Sequence, residues 1–183
     1  MANDVTARRY AIFLRGVNVG GITVRMADLR AELATLPVDD VATVLASGNV
    51  TCTSRLAPAE LKALMEQALR RRFGYVAWVI VVGHDALRAM FASLTEPAGS
   101  SPEEHTYVTF FAGAEELEAF LREARAVPDQ PAILAGGTAI CWRSPKGRST
   151  DVPLAKLLAR ARYVSTSTTR NTTTIARVLR LLA

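Results

Sequence analysis

The spacing of apolar positions in this 183-residue chain changes several times, and each change predicts an element. Arg9–Leu14 is a short apolar run of the kind that forms a buried strand. From Met26 the period lengthens, because Met26, Leu29, Leu33 and Leu36 recur at steps of three and four, and Pro37 closes that helix. Val41–Ala46 and Asn49–Thr53 are β-rich runs joined by Ser47-Gly48, a hairpin signal. Pro58 opens a second helix with a stripe of Leu61, Leu64, Met65, Ala68, Leu69 and Phe73. Gly74 stops it, and Arg70–Arg72 complement its C-terminal dipole. Tyr75–Val82 follows as a strand, which completes the order strand, helix, strand, strand, helix, strand.

After a short helix at His84–Leu94 and a linker-like TEPAGSSPEE, the order repeats. Thr106–Phe111 reads as a strand and Ala114–Ala126 as an acidic helix. Ala132–Leu134 and Ala139–Trp142 flank Gly136-Gly137 as a hairpin. Val152–Arg162 reads as a helix, Tyr163–Ser165 as a brief strand, and a helical stripe of Ile175, Val178, Leu179 and Leu182 ends the chain. The expected fold is therefore α+β, two ferredoxin-like (split βαβ) halves with antiparallel sheets. The halves are 1–95 and 105–183, the second with a basic C-terminal helix, and 96–104 is the linker. Trp78 and Trp142 are expected to anchor the two cores.

Composition narrows the class. Half the residues are hydrophobic, no apolar run approaches the ~18 residues of a membrane span, and the first residues do not follow the order of a secretory leader. We therefore expect a cytoplasmic protein without a membrane partner. Cys52 and Cys141 lie singly in strand-like runs, as small core residues, and His84 and His105 have no ligand-type partners at helical spacing, so no metal and no cofactor are expected. The net charge of +5 is unevenly spread: Glu96–Ala139 sums to −6 and Ile140–Ala183 to +8. Such a block attracts anions, unless it pairs with the acidic middle of the same chain.

Three polar runs carry the chemistry. In Arg15-Gly16-Val17-Asn18-Val19-Gly20-Gly21, glycine and asparagine let successive N–H groups turn to one side, and Arg15 adds a planar fork for phosphate or carboxylate. The run matches neither the Walker pattern nor GxGxxG, so by pattern alone a structural turn is its ordinary reading. Ala46-Ser47-Gly48-Asn49 likewise needs no more than a turn. Ser165–Thr174 surrounds Arg170 with hydroxyl and amide groups just before a helix. There Asn171 would cap the helix, and its free N–H groups would favour an anion.

The segments YAIFLRGVNVGGITVRMADLRAELATL, ASGNVTCTS and TSTTRN together resemble the bacterial family of domain of unknown function 1697. The matching residues are Leu14–Gly21, Met26, Leu29, Arg30, Ser47–Val50 and Thr168–Asn171. Ala46 stands where that family usually has glutamine, and Thr172 where it has tryptophan. The resemblance implies two ferredoxin-like halves and no established reaction, and it joins the three runs as parts of one expected site. The ligand-binding candidates are Arg15, Gly16, Asn18, Gly20, Gly21, Ser47, Asn49, Thr169, Arg170 and Asn171. Arg15 and Arg170 would neutralise an anionic small molecule, a nucleotide or phosphorylated metabolite. The backbone of Gly20-Gly21 and the helix end at Asn171 would donate N–H groups, while Asn18, Ser47 and Asn49 set orientation. The alternatives are nucleic-acid binding through the basic block Arg143–Arg180, and an enzyme using the same pocket with Asp28 or Asp151 as base.

Overall fold

A computed structural model describes residues 6–15, 23–74, 76–94 and 103–183. The chain forms two compact units, Met1–Leu87 with Arg177–Ala183, and Arg88–Ala176. Each holds one four-stranded antiparallel sheet with its helices, an α+β architecture.

In the first unit the elements are β1 (Arg8–Arg15), α1 (Met26–Leu33), β2 (Asp39–Val44), β3 (Asn49–Ser54), α2 (Pro58–Phe73) and β4 (Trp78–Gly83). They give a sheet in the order β2-β3-β1-β4, so β1 is central and pairs with β3 and β4. Alternation along β1 sends Tyr10, Ile12 and Leu14 into one core with Leu29 and Leu33 of α1 and Leu61, Met65 and Leu69 of α2. Each such side chain contributes about 1.5–3 kcal/mol by leaving water. Helix α2 starts and stops where its sequence requires. Pro58 occupies the first turn, Glu60 reaches back to accept the Ala57 N–H at 3.0 Å, and Gly74 ends it at φ 68. The β2–β3 connection is a four-residue turn, Leu45–Gly48, with Leu45 at φ 59 and Gly48 at φ 73.

The second unit begins within α3 (His84–Ala92) and continues through β5 (Glu104–Phe111), α4 (Ala114–Ala124), β6 (Ala132–Ile133) and β7 (Ala139–Pro145). Then come α5 (Pro153–Leu158), α6 (Ala161–Val164), β8 (Ser167–Asn171) and α7 (Thr172–Leu182), whose last residues belong to the first unit. The sheet order is β6-β7-β5-β8. Phe111, Ile140 and Trp142 pack with Phe120 of α4 and with Leu154, Leu157 and Leu158 of α5. Trp142 anchors this core as expected, stacked on Tyr107 at 4.8 Å. Trp78 instead lies half-buried at the start of β4, with the Lys62 ammonium over its ring at 5.1 Å.

Two expectations need correction. The helix expected over Val152–Arg162 is broken, because Arg160 takes an extended backbone and Ala161 starts α6. The strand expected at Tyr163–Ser165 lies further on: Tyr163 and Val164 finish α6, and Ser167–Asn171 forms β8. β-branched threonines suit a strand beside β5. Among the described residues no helix is long and apolar enough to cross a membrane.

Burial separates the cysteines. The Cys52 thiol is pushed up to about 12 by desolvation, whereas half-buried Cys141 is also raised but retains some exposure. Thiol labelling of the native protein at pH 8 should modify Cys141 first and Cys52 only on unfolding. Equal labelling rates, read by peptide mass, would contradict this packing.

Candidate functional site

The C-terminal end of β1, where Arg15 begins the first polar run, is bonded to the Ser47–Asn49 turn. The Leu14 N–H donates to Gly48 O at 2.7 Å, and Phe13 pairs with Asn49 across the β1–β3 ladder. Side chains alternate along β1, so Phe13 and Arg15 face away from the side of the sheet that α1 and α2 cover. Asn49, the register partner of Phe13, shares their face and is fully buried. Its amide nitrogen donates to Val44 O at 2.8 Å and to Ser47 Oγ at 3.0 Å. The side chain thus closes the turn that Leu45 and Gly48 open, while Ser47 remains exposed. Arg15 is partly buried, and that burial lowers its guanidinium below the usual value. Gly16, Asn18, Gly20 and Gly21 lie outside the described residues.

The third run belongs to the second unit and is a strand, so its residues do not act as one loop. Thr169 pairs with Thr109 on the helix-covered side of the sheet, and their hydroxyls meet at 2.8 Å. Thr109 also accepts from the Trp142 indole at 2.9 Å. This chain satisfies the buried Thr109 hydroxyl and Trp142 indole and ties half-buried Thr169 to them. Arg170, one residue on, faces the opposite side beside Val108. Its guanidinium folds back to donate to Thr168 Oγ1 at 2.8 Å and Thr169 O at 2.7 Å. Asn171 caps α7, its Oδ1 accepting the Thr174 N–H at 2.8 Å.

A cluster with no sequence signal lies on α4 and α6. Glu123 accepts from the Tyr163 hydroxyl at 2.6 Å, from Arg160 at 3.0 Å and from Arg162. The tyrosine hydrogen bond, with the two guanidiniums, lowers the Glu123 carboxyl, and burial together with that carboxylate raises Tyr163 to about 12. Arg143 pairs with Glu104 at 3.3 Å and Arg148 with Asp151 at 3.6 Å. Four of the nine basic residues of Ile140–Ala183 are therefore paired with carboxylates of their own unit.

The family described as "Protein of unknown function (DUF1697)" matches residues 7–139. The chain belongs to this family. The matched stretch includes the Leu14–Gly21 and Ser47–Val50 runs and ends before Thr168–Asn171. Among solved structures, the chain is similar to the conserved bacterial protein SP0830 from Streptococcus pneumoniae. Identity is 22%, the TM-score is 0.79, and the alignment covers 97% of this chain and 100% of that one. The likeness shows the DUF1697 chain to have the fold of that protein. No curated protein matches the chain.

Two measurements follow. Asn171→Ala should cost about 1 kcal/mol of unfolding free energy, as expected for a lost helix cap. A chemical denaturation midpoint unchanged within error would exclude the cap. The Glu123–Tyr163 pair sets stability limits at both ends of the pH range. Because the folded-state Glu123 value is lowered, its contribution is present above ~4.3 and lost as pH falls through the folded value. Tyr163 is raised, so its contribution is present below ~10 and lost as pH climbs through about 12. Melting temperatures of the native protein and Tyr163→Phe should therefore converge between those alkaline values. Parallel curves there would refute the coupling.

Proposed function

We propose that the protein binds a small anionic ligand, a nucleotide or phosphorylated metabolite, at the C-terminal end of β1 with Arg15 as the charge that receives it. The observation that carries this reading is the placement of Arg15. It ends the central strand, partly buried, on the same sheet face as the wholly buried Asn49. A guanidinium in such surroundings is less screened than a surface cation, and its planar fork fits a phosphate or carboxylate. The Leu14–Gly48 hydrogen bond holds the Ser47–Asn49 turn beside it. The ordered backbone supplies orientation without cost at the moment of binding.

Nucleic-acid binding through the basic block draws less support, because Arg143, Arg148, Arg160 and Arg162 already face carboxylates. For an enzyme, Asp151 is engaged by Arg148, and Asp28 lies in the first turn of α1.

A thermal-shift screen of nucleotides, phosphosugars and inorganic phosphate tests the proposal. A ligand at a hundred times its dissociation constant adds about 2.7 kcal/mol. Arg15→Gln should weaken such a ligand about tenfold or more, the value of one charged hydrogen bond. A protein whose Arg15→Gln form binds every anion as the native form does would show that this reading is wrong.

A further inference from the structure

A groove of about 590 Å³ lies between α4 and α5 of the second unit, and none of the ligand candidates discussed above is among its lining residues. Its lining carries the basic side chains of Arg122, Lys156 and Arg160, and its apolar part is made by half-buried Val127, exposed Pro153 and buried Leu157. Glu123 is the acidic residue that lines it, but its carboxylate is already taken by Tyr163, Arg160 and Arg162. Arg162 adds a positive charge from outside the lining, so the groove remains cationic. Arg122 and Lys156 are exposed and make no ion pair among the described residues.

Long basic side chains beside apolar ones present two chemistries at once, hydrocarbon and charge. The volume falls in the range that small-molecule sites occupy, roughly 300–1,000 Å³. No aromatic side chain lines the groove on which a base would stack, which disfavours single-stranded nucleic acid. We propose that this groove binds a small amphiphilic anion, a carboxylate, sulfonate or phosphate head joined to a compact hydrocarbon body. Arg122 and Lys156 contact the head, and Val127, Pro153 and Leu157 receive the body. Arg160 is held in place by Glu123 and completes the basic lining. The site is independent of Arg15.

Calorimetric titration of the full chain with decanoate, below its micellar range, tests the proposal. Decanol, inorganic phosphate and a short single-stranded oligonucleotide serve as the other probes. Decanoate should bind at one site, with decanol and phosphate each far weaker. The double variant Arg122→Gln/Lys156→Gln should lose about tenfold or more in decanoate affinity, since it removes two charged contacts. Both positions are exposed, and an unchanged melting temperature without ligand confirms that the variant folds. Arg15→Gln should bind decanoate as the native protein does, which keeps this result separate from that of the β1 site. Equal affinity for decanol, equal affinity for phosphate alone, or an unaffected double variant would overturn the proposal. Tighter binding of the oligonucleotide, lost in the double variant, would assign the groove to a nucleic-acid backbone instead.

Discussion

A wholly buried primary amide must find partners, and in this fold that requirement falls on Asn49. It finds them in Val44 O, at the end of β2, and in Ser47 Oγ, on the turn that leads into its own strand. The turn is therefore closed from inside the sheet, and Leu45 is held in a left-handed backbone that a leucine rarely adopts. The fixed turn then presents Gly48 O to the Leu14 N–H. That bond extends the β1–β3 pairing to the end of the central strand, where Arg15 emerges. Removing the amide would take away its bonds to Val44 and Ser47 and leave a leucine in a left-handed backbone. The end of β1 is thus held on both sides, by this turn through Leu14 and by the pairing of Arg15 with Trp78 of β4.

The charge distribution has an equally local explanation. The acidic middle and basic end of the sequence meet within the second unit, as Glu104 with Arg143 and as Glu123 with Arg160 and Arg162. Exposed pairs of this kind add about 0–1 kcal/mol each, so they do little for stability. Their larger effect is on the field: each pairing cancels charge that a nucleic acid would otherwise use. Arg122 and Lys156 are among the basic residues that make no ion pair among the described residues.

Much of the architecture was legible because its signals are local. The stripe of α2, with Pro58 before it and Gly74 after it, fixes that helix to its last residue. Both strand orders follow from the repeated sequence of elements, since a split βαβ unit has few ways to close. The errors arise where two local readings compete. The hydroxyls of Ser165–Thr174 suit helix capping, yet the same threonines suit a strand, and the Thr109–Thr169 contact across sixty residues decides between them. The break at Arg160 leaves no mark in the apolar spacing. Glu123 and Tyr163 meet forty residues apart, and no spacing rule could join them. At the candidate site, Arg15 was readable as the last residue of a strand. The burial of Asn49 was not, because nothing adjacent in sequence distinguishes it from an ordinary turn asparagine.

The two arginines that the sequence ranks together differ in what their strands do with them. Arg170 is satisfied within its own strand, by the hydroxyl of Thr168 and the carbonyl of Thr169. A guanidinium bent back in this way stiffens β8 and offers an incoming anion less of its donor fork. Arg15 carries a different constraint, because desolvation there works against its charged form. Keeping a cation partly out of water is unfavourable, and an anion bound beside it would offset that penalty in surroundings that screen the attraction weakly. Position in the sheet, more than residue type, therefore sets the two arginines apart: burial works against the charge of Arg15, and Arg170 bonds within its own strand.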